Sequence, residues 1–243
     1  MHTELPSPTS PRPTALGARD LLLDALTASS GAIDAISFLA LGKVFTAFMT
    51  GNLVFLGLRA AGSAAAPNAI NVCVSLAGFA AGVSVTTRIA KPSTESGRWP
   101  QRTTLVLGAC LIAHVCFVAV WFACGGRPSP QTVPALLGLW AIAMGIQSAA
   151  VRSLNVAGVF TTAATATFIF LAGDLADWPG TRPEHRRLAG VLVSLFLGAT
   201  AGGGLLVIAP IYAPLLPLAI TMGVVATAAT VLRPDDARVG GRA

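Results

Sequence analysis

Charge is scarce in this sequence. Of its 243 residues only 11% are Asp, Glu, Lys or Arg, 54% are hydrophobic, and the mean hydropathy is +0.73. Soluble domains carry about 25% charged residues. That deficit excludes an ordinary water-soluble enzyme, a disordered chain and a coiled coil, and points to an integral membrane protein. Cysteine is scarce too. Cys73, Cys110, Cys116 and Cys124 lie in or beside apolar stretches without a CxxC pair, which excludes a disulfide scaffold and reads as small buried hydrophobes. Cys110 and His114 fall four apart on one helix face, but no second such pair accompanies them, so no metal site is expected. A P-loop, an HExxH helix and a Ser/His/Asp set are all missing, so neither catalysis nor a cofactor is expected. The net charge of +6 belongs to residues at the ends of apolar runs and not to a nucleic-acid motif.

What is present is a series of long apolar runs. Six are long enough to cross a bilayer at about 20 residues each: 20–41, 68–87, 103–123, 132–151, 188–208 and 213–232. The run at 20–41 is too long for a signal-peptide core and contains Asp24 and Asp34, so it reads as a first span. Two shorter, interrupted stretches, 42–62 and 155–173, read as re-entrant segments or as extra spans. With six spans and the amino terminus inside, 13 of the 16 Lys and Arg residues face the cytoplasm; with eight, the split falls to 10 and 6. The positive-inside rule favours six. The expected fold is therefore all-α and polytopic, with six transmembrane helices and two re-entrant or broken short helices. A proline-rich tail at 1–19 is expected to be disordered and cytoplasmic, followed by one transmembrane domain at 20–232 and a cytoplasmic tail at 233–243. The expected location is the bacterial inner membrane.

The two halves resemble one another. GAIDAISFLALGKVFTAFMTGNLVFLG at 31–57 aligns with MGIQSAAVRSLNVAGVFTTAATATFIFLA at 144–172, matching Phe45 to Phe160, Thr46 to Thr161, Thr50 to Thr165 and Phe55 to Phe170. Each half, 20–123 and 132–232, reads as span, broken segment, span, span. Three spans are an odd number, so the second half is inverted. Inverted repeats with broken helices meeting near the midplane recur in transporters.

Gly31, Asp34 and GKVFTAFMTGN, together with Met144-Gly145-Ile146-Gln147, Arg152 and Thr161-Thr162, resemble the two signatures of the YoaK-like family of bacterial membrane proteins, a family of unknown function. The resemblance runs from about residue 21 to 232 and implies a multi-span inner-membrane protein. In the second half such proteins tend to read Thr-Gly-Thr, where this chain has Thr165-Ala166-Thr167.

Few polar groups are left within the spans as a candidate substrate site: Asp34, Thr50, Gly51, Asn52, Gln147, Arg152, Thr165 and Thr167. Asp34 shares a helix face with Thr27, Ser30 and Ser37, and an ionisable group in a span marks either a functional site or a helix-holding carboxylate. Arg152 is either a cation facing Asp34 across the repeat axis or a positive-inside anchor. In Met49-Thr50-Gly51-Asn52, Gly51 permits a turn and Asn52 is placed to cap a helix starting at Leu53, whose free N–H groups would suit an anionic or carbonyl-bearing solute. The plain alternative is a turn and cap without ligand. His114 reads as a packing residue. Gly78 and Gly82, and Gly190, Ser194, Gly198 and Gly202, form small-residue faces for helix packing or for a homo-oligomer. The expected partners are the lipid bilayer and an unidentified small solute, with no nucleic acid. The leading reading is a secondary transporter or channel; the alternative is a non-transporting structural or assembly protein.

Overall fold

The computed structural model describes residues 13–89, 99–154, 168–169, 172–173 and 183–231. Among these, seven α-helices and one 3-10 turn account for the regular structure: α1 (Pro13–Ala40), α2 (Met49–Ala60), α3 (Ala69–Ile89), α4 (Gln101–Ala123), α5 (Val133–Ser153), α6 (Pro183–Ile208), the turn Pro210–Tyr212, and α7 (Leu215–Val231). Six helical stretches are long and apolar enough to cross a membrane: Gly17–Ala40, Ala69–Ile89, Gln101–Ala123, Val133–Ser153, Arg187–Ile208 and Pro210–Thr230. They coincide with the six runs read from the sequence. Helix is the form that satisfies every backbone group within one segment, which a lipid surrounding demands. One difference lies at the start: α1 begins at Pro13, inside the stretch expected to be a tail. Proline suits a helix's first turn, and Ala15, Leu16, Ala18 and Arg19 are good helix formers.

The helices sort their faces by residue size. On α3 the buried residues are Val72, Ser75, Gly78, Gly82 and Thr86, spaced three or four apart, while Ile70, Val85 and Ile89 point outward. Lipid tails are as apolar as leucine, so burying leucine gains little here, and small residues that admit a neighbouring backbone drive association instead. A Cβ on Gly82 would strike Ile142 O and lie 3.0 Å from Ile146 N, both on α5; one on Gly145 of α5 would strike Phe79 O and lie 3.0 Å from Val83 N, both on α3. The same arrangement joins α1 and α6. A Cβ on Gly198 would strike Ala28 O, and one on Gly31 would strike Leu195 O and lie 3.0 Å from Ala199 N. In both pairs the contact positions rise together along the two helices, so each pair packs parallel. These glycine faces are therefore filled within the chain, which removes them as the oligomer surface weighed from the sequence.

The chain reverses between α1 and α3 through a dip back into the bundle. α1 ends in a Schellman-type arrangement: Lys43 N donates to Phe38 O at 3.1 Å, with Gly42 at φ 84° and Lys43 at φ 62°. Lys43 thus holds a left-handed conformation that a β-carbon disfavours. Lys43→Val is expected to lower stability by about 1–2 kcal/mol, and Lys43→Gly to leave it unchanged, as read from thermal melts in detergent.

α2 has 12 residues, about 18 Å at 1.5 Å per residue, too short for a hydrocarbon core of about 30 Å. The first short segment therefore does not span. Of the second, 155–173, only residues 168–169 and 172–173 are described.

A polar clamp on the re-entrant loop and its family

The loop before α2 is irregular backbone at membrane depth, tolerated only where protein groups satisfy it. Three side chains do so. The Asp34 carboxylate accepts from Thr46 N and Ala47 N at 2.8 Å each on Oδ1, from Phe48 N at 3.0 Å on Oδ2, and from the Thr46 hydroxyl at 3.4 Å. Asn52 takes Phe45 from both sides: its Oδ1 accepts from Phe45 N at 3.1 Å, and its Nδ2 donates to Phe45 O at 2.7 Å. Ser75 on α3 donates to the same carbonyl at 2.6 Å, and lies 3.3 Å from Asn52 Nδ2. Asn52, Ser75 and Thr46 are fully buried.

These bonds fix the depth of the loop. Asp34 lies six residues before the end of α1 and Ser75 six residues after the start of α3. Six residues of helix are about 9 Å, so the start of α2 sits that far inside the helix ends. Four phenylalanines seal it. Phe45 stacks on Phe38 at 5.0 Å and on Phe55 at 5.9 Å, and meets Phe48 edge-on at 5.4 Å.

The arrangement revises two readings of the MTGN run. α2 starts at Met49 and not at Leu53, so Asn52 lies inside the first turn and reaches backward to the loop instead of capping a later helix. Asp34 instead holds the loop that leads into the helix, through the N–H groups of Thr46, Ala47 and Phe48, and the first turn of α2 has no side-chain cap. Gly51 does not adopt a left-handed backbone; its missing Cβ leaves room for Phe48, whose Cδ1 would lie 2.6 Å away. Thr50 is exposed. Asn52→Leu leaves Phe45 N and O without these partners and is expected to destabilise by about 2–3 kcal/mol, measured as a lowered unfolding midpoint; Asn52→Asp keeps the acceptor but loses the donor to Phe45 O, and is expected to fall between.

The remaining candidates lie elsewhere. Gln147 is fully buried and its Nε2 donates to Leu26 O at 3.1 Å. Arg152 is exposed at the end of α5. Because α1 runs opposite to α3, and α3 parallel to α5, α1 and α5 are antiparallel. From the Gln147–Leu26 bond, Arg152 lies five residues one way and Asp34 eight residues the other, a separation of about 20 Å along the bundle. Among the described residues the ion pair is Arg19–Asp20, at 3.0 Å. The expected pairing of Asp34 with Arg152 is therefore overturned: the antiparallel register sends the two charges toward opposite ends. Thr165 and Thr167 lie outside the described residues.

The match with known proteins covers this same frame. Residues 22–228 fit the family described as "Protein of unknown function (DUF1275)". The chain belongs to this family. It is 38% identical over 164 residues to the UPF0700 transmembrane protein YoaK of Bacillus subtilis (strain 168), covering 67% of this chain and 70% of that relative. No solved structure matches. The YoaK-like resemblance read from Gly31, Asp34 and the MTGN run is thus shown, and Asp34 and Asn52 in that signature hold the loop. Sequence reasoning missed Ser75 and Thr46, which complete the clamp. Ser75 carried a signal only in its place on the small-residue face with Gly78 and Gly82.

Proposed function

We propose that this multi-pass membrane protein carries a small solute across the bacterial inner membrane, through a site between two inverted halves of one chain. The reading rests on one observation: contacts between helices recur in reciprocal form. Gly145 follows Gly31 by 114 positions and Gly198 follows Gly82 by 116, and their backbone contacts exchange in step. Gly82 meets Ile142 where Gly198 meets Ala28, again 114 apart. A third pair joins the corresponding helices at a different offset, with donor and acceptor exchanged. Cys110 Sγ donates to Ala143 O at 3.3 Å, and Ser29 Oγ to Pro217 O at 3.3 Å; Pro217 follows Cys110 by 107 positions, and Ala143 follows Ser29 by 114. Such two-fold construction with a broken helix supports alternating access by rocking one half against the other.

Asp34 is committed to the N–H groups of residues 46–48 ahead of α2, so its carboxylate is engaged by the loop. The test is uptake by proteoliposomes of radiolabelled solutes from four classes (carboxylates, amines, sugars and polyols). At least one class is expected to enter ten-fold faster than into protein-free liposomes. Protein-free rates throughout would favour the non-transporting, structural reading. The distribution of Lys and Arg supports cytoplasmic termini. Single cysteines at Lys43 and at Arg88, in a cysteine-free background, are then expected to label from opposite sides of the membrane.

A further inference from the structure

One seam of the bundle follows the same plan at both ends but is filled differently. On α7 and just ahead of it the buried positions are Ala213, Pro214, Pro217, Thr221, Val224 and Ala228; on α4 they include Val106, Leu107, Cys110, His114, Phe117 and Trp121. Each residue of the first set follows its counterpart in the second by 107 positions, so the two helices turn equivalent faces inward. They lie antiparallel, because Trp121 near the end of α4 meets Pro210 ahead of α7. The α4–α7 seam therefore has two equivalent ends. Phe117, Trp121 and Ala213 form the one on the side of α2. Val224, Ala228 and Val106 form the other, on the side of Arg152, where Thr103 of α4 meets Ser153 of α5.

The α2 end is firmly closed. Trp121 Nε1 donates to Pro210 O at 3.2 Å. Its ring stacks on Phe117 at 5.9 Å, and Phe117 stacks on Trp140 of α5 at 3.5 Å. Phe122 meets Tyr212 edge-on at 6.1 Å. Gly126, at φ 73°, brings the chain close enough that a Cβ would lie 3.2 Å from Ile211 Cα. Phe117, Trp121 and Ala213 are buried in one cluster. The opposite end has none of these features. Val224 stands where Phe117 does, and Ala228 where Trp121 does. They share a buried cluster with Val106 and Leu107. Thr103, the counterpart of Pro210, bonds to Ser153 of α5 instead. Among the described residues no hydrogen bond joins α4 to α7 at this end.

That difference sets which end parts more readily. Between helices in lipid, close packing and hydrogen bonds carry the association. Each atom pair adds a little dispersion, and stacked Phe and Trp rings bring many more atoms into contact than Val and Ala. An indole N–H pulled away from its carbonyl in an apolar seam is left unpaired, which is costly. Parting the seam at the α2 end therefore sacrifices a hydrogen bond and two ring contacts. Parting it at the other end sacrifices neither.

We propose that the α4–α7 seam is a two-ended gate, latched at the α2 end by Trp121 on Pro210, and that it opens first at the opposite end, between Val106, Val224 and Ala228. This deepens the transport reading, on which its role as a gate rests. The resting protein then opens toward the side of Arg88 and Arg152, which is the cytoplasm in the orientation given above, and release of the Trp121 latch is the step that exposes the other side.

The test is thiol labelling of the full chain in liposomes, in a cysteine-free background, with a charged methanethiosulfonate present on both faces. Val106→Cys and Ala213→Cys place single thiols at equivalent buried positions of the two ends. Val106→Cys is expected to label at least ten-fold faster. Trp121→Phe keeps a ring on Phe117 but removes the N–H. It is expected to raise the rate at Ala213→Cys at least three-fold and to leave that at Val106→Cys unchanged. Tyr212→Leu, which removes the edge contact with Phe122, is the second variant should Trp121→Phe misfold. Equal rates at the two ends, or a faster rate at Ala213→Cys, overturn the proposal, as does an Ala213→Cys rate that neither variant moves. Faster labelling at Val106→Cys together with protein-free uptake rates would sink the transport reading and leave the asymmetric seam standing. Equal labelling with measurable uptake would do the reverse.

Discussion

Asp34→Leu is expected to lower unfolding stability by about 4 kcal/mol. The carboxylate receives three backbone N–H groups and a hydroxyl from residues 46–48. Removing a partner from a buried donor costs about 1–3 kcal/mol each, and water can relieve only part of that at this depth. The lost charge also removes the counterpart to the positive end of α2, worth a further fraction of a kcal/mol. Asp34→Asn separates these contributions. One oxygen still accepts from Thr46 and Ala47, while an amide N–H now faces Phe48 N, so about half the loss is expected. Denaturation midpoints in mild detergent give both numbers. If Asp34→Leu stays within 1 kcal/mol of the parent, the carboxylate does not hold the loop.

Gly198→Leu and Gly82→Leu are each expected to lower stability by about 3 kcal/mol or to prevent folding. The atoms that a new side chain would meet are backbone. A Cβ on Gly198 would lie 2.6 Å from Ala28 Cα as well as striking Ala28 O, and one on Gly82 would strike Ile142 O. Backbone cannot rotate aside, so the helix pair must separate, losing contact along its length; overpacking of this kind typically costs 1–3 kcal/mol and sometimes more. Gly204→Leu is the control, because a Cβ there meets nothing within 4 Å and points toward lipid. Equal losses at Gly82 and Gly198, with none at Gly204, are the expected pattern. A tolerated Gly82→Leu beside a damaging Gly198→Leu would argue against equivalent roles for the two interfaces.

Much of the fold is legible in the amino-acid sequence. The six spans follow from apolar runs of sufficient length, because lipid imposes one rule on every exposed position. The family follows from Gly31, Asp34 and the MTGN run, which stand out against an apolar background. The site is harder to read. Asp34 looks free to meet a solute or Arg152, since nothing in a one-dimensional pattern says that a loop twelve to fourteen residues later folds back onto it. Asn52 looks like a cap for the helix after it, yet it serves the loop before it. Which backbone groups lack partners depends on where the chain bends, and hydropathy is blind to that.

His114 shows the same limit from the other side. Alone in its run, it reads as a packing residue, as buried histidines commonly are. The structure places it fully buried on α4, with Nδ1 2.9 Å from the Cys110 carbonyl oxygen one turn back, a bond that hydropathy does not show. Composition and periodicity therefore decided that the chain lies in a membrane, how often it crosses and which residues are too polar for lipid. Tertiary packing decided what those residues bond to: Asp34 and Asn52 to a bent segment of their own chain, and Gln147 to the Leu26 carbonyl of a neighbouring helix. The physical reason is that the cost of leaving water is local to each residue, whereas satisfying a hydrogen bond in its absence requires a neighbour that only the folded bundle supplies.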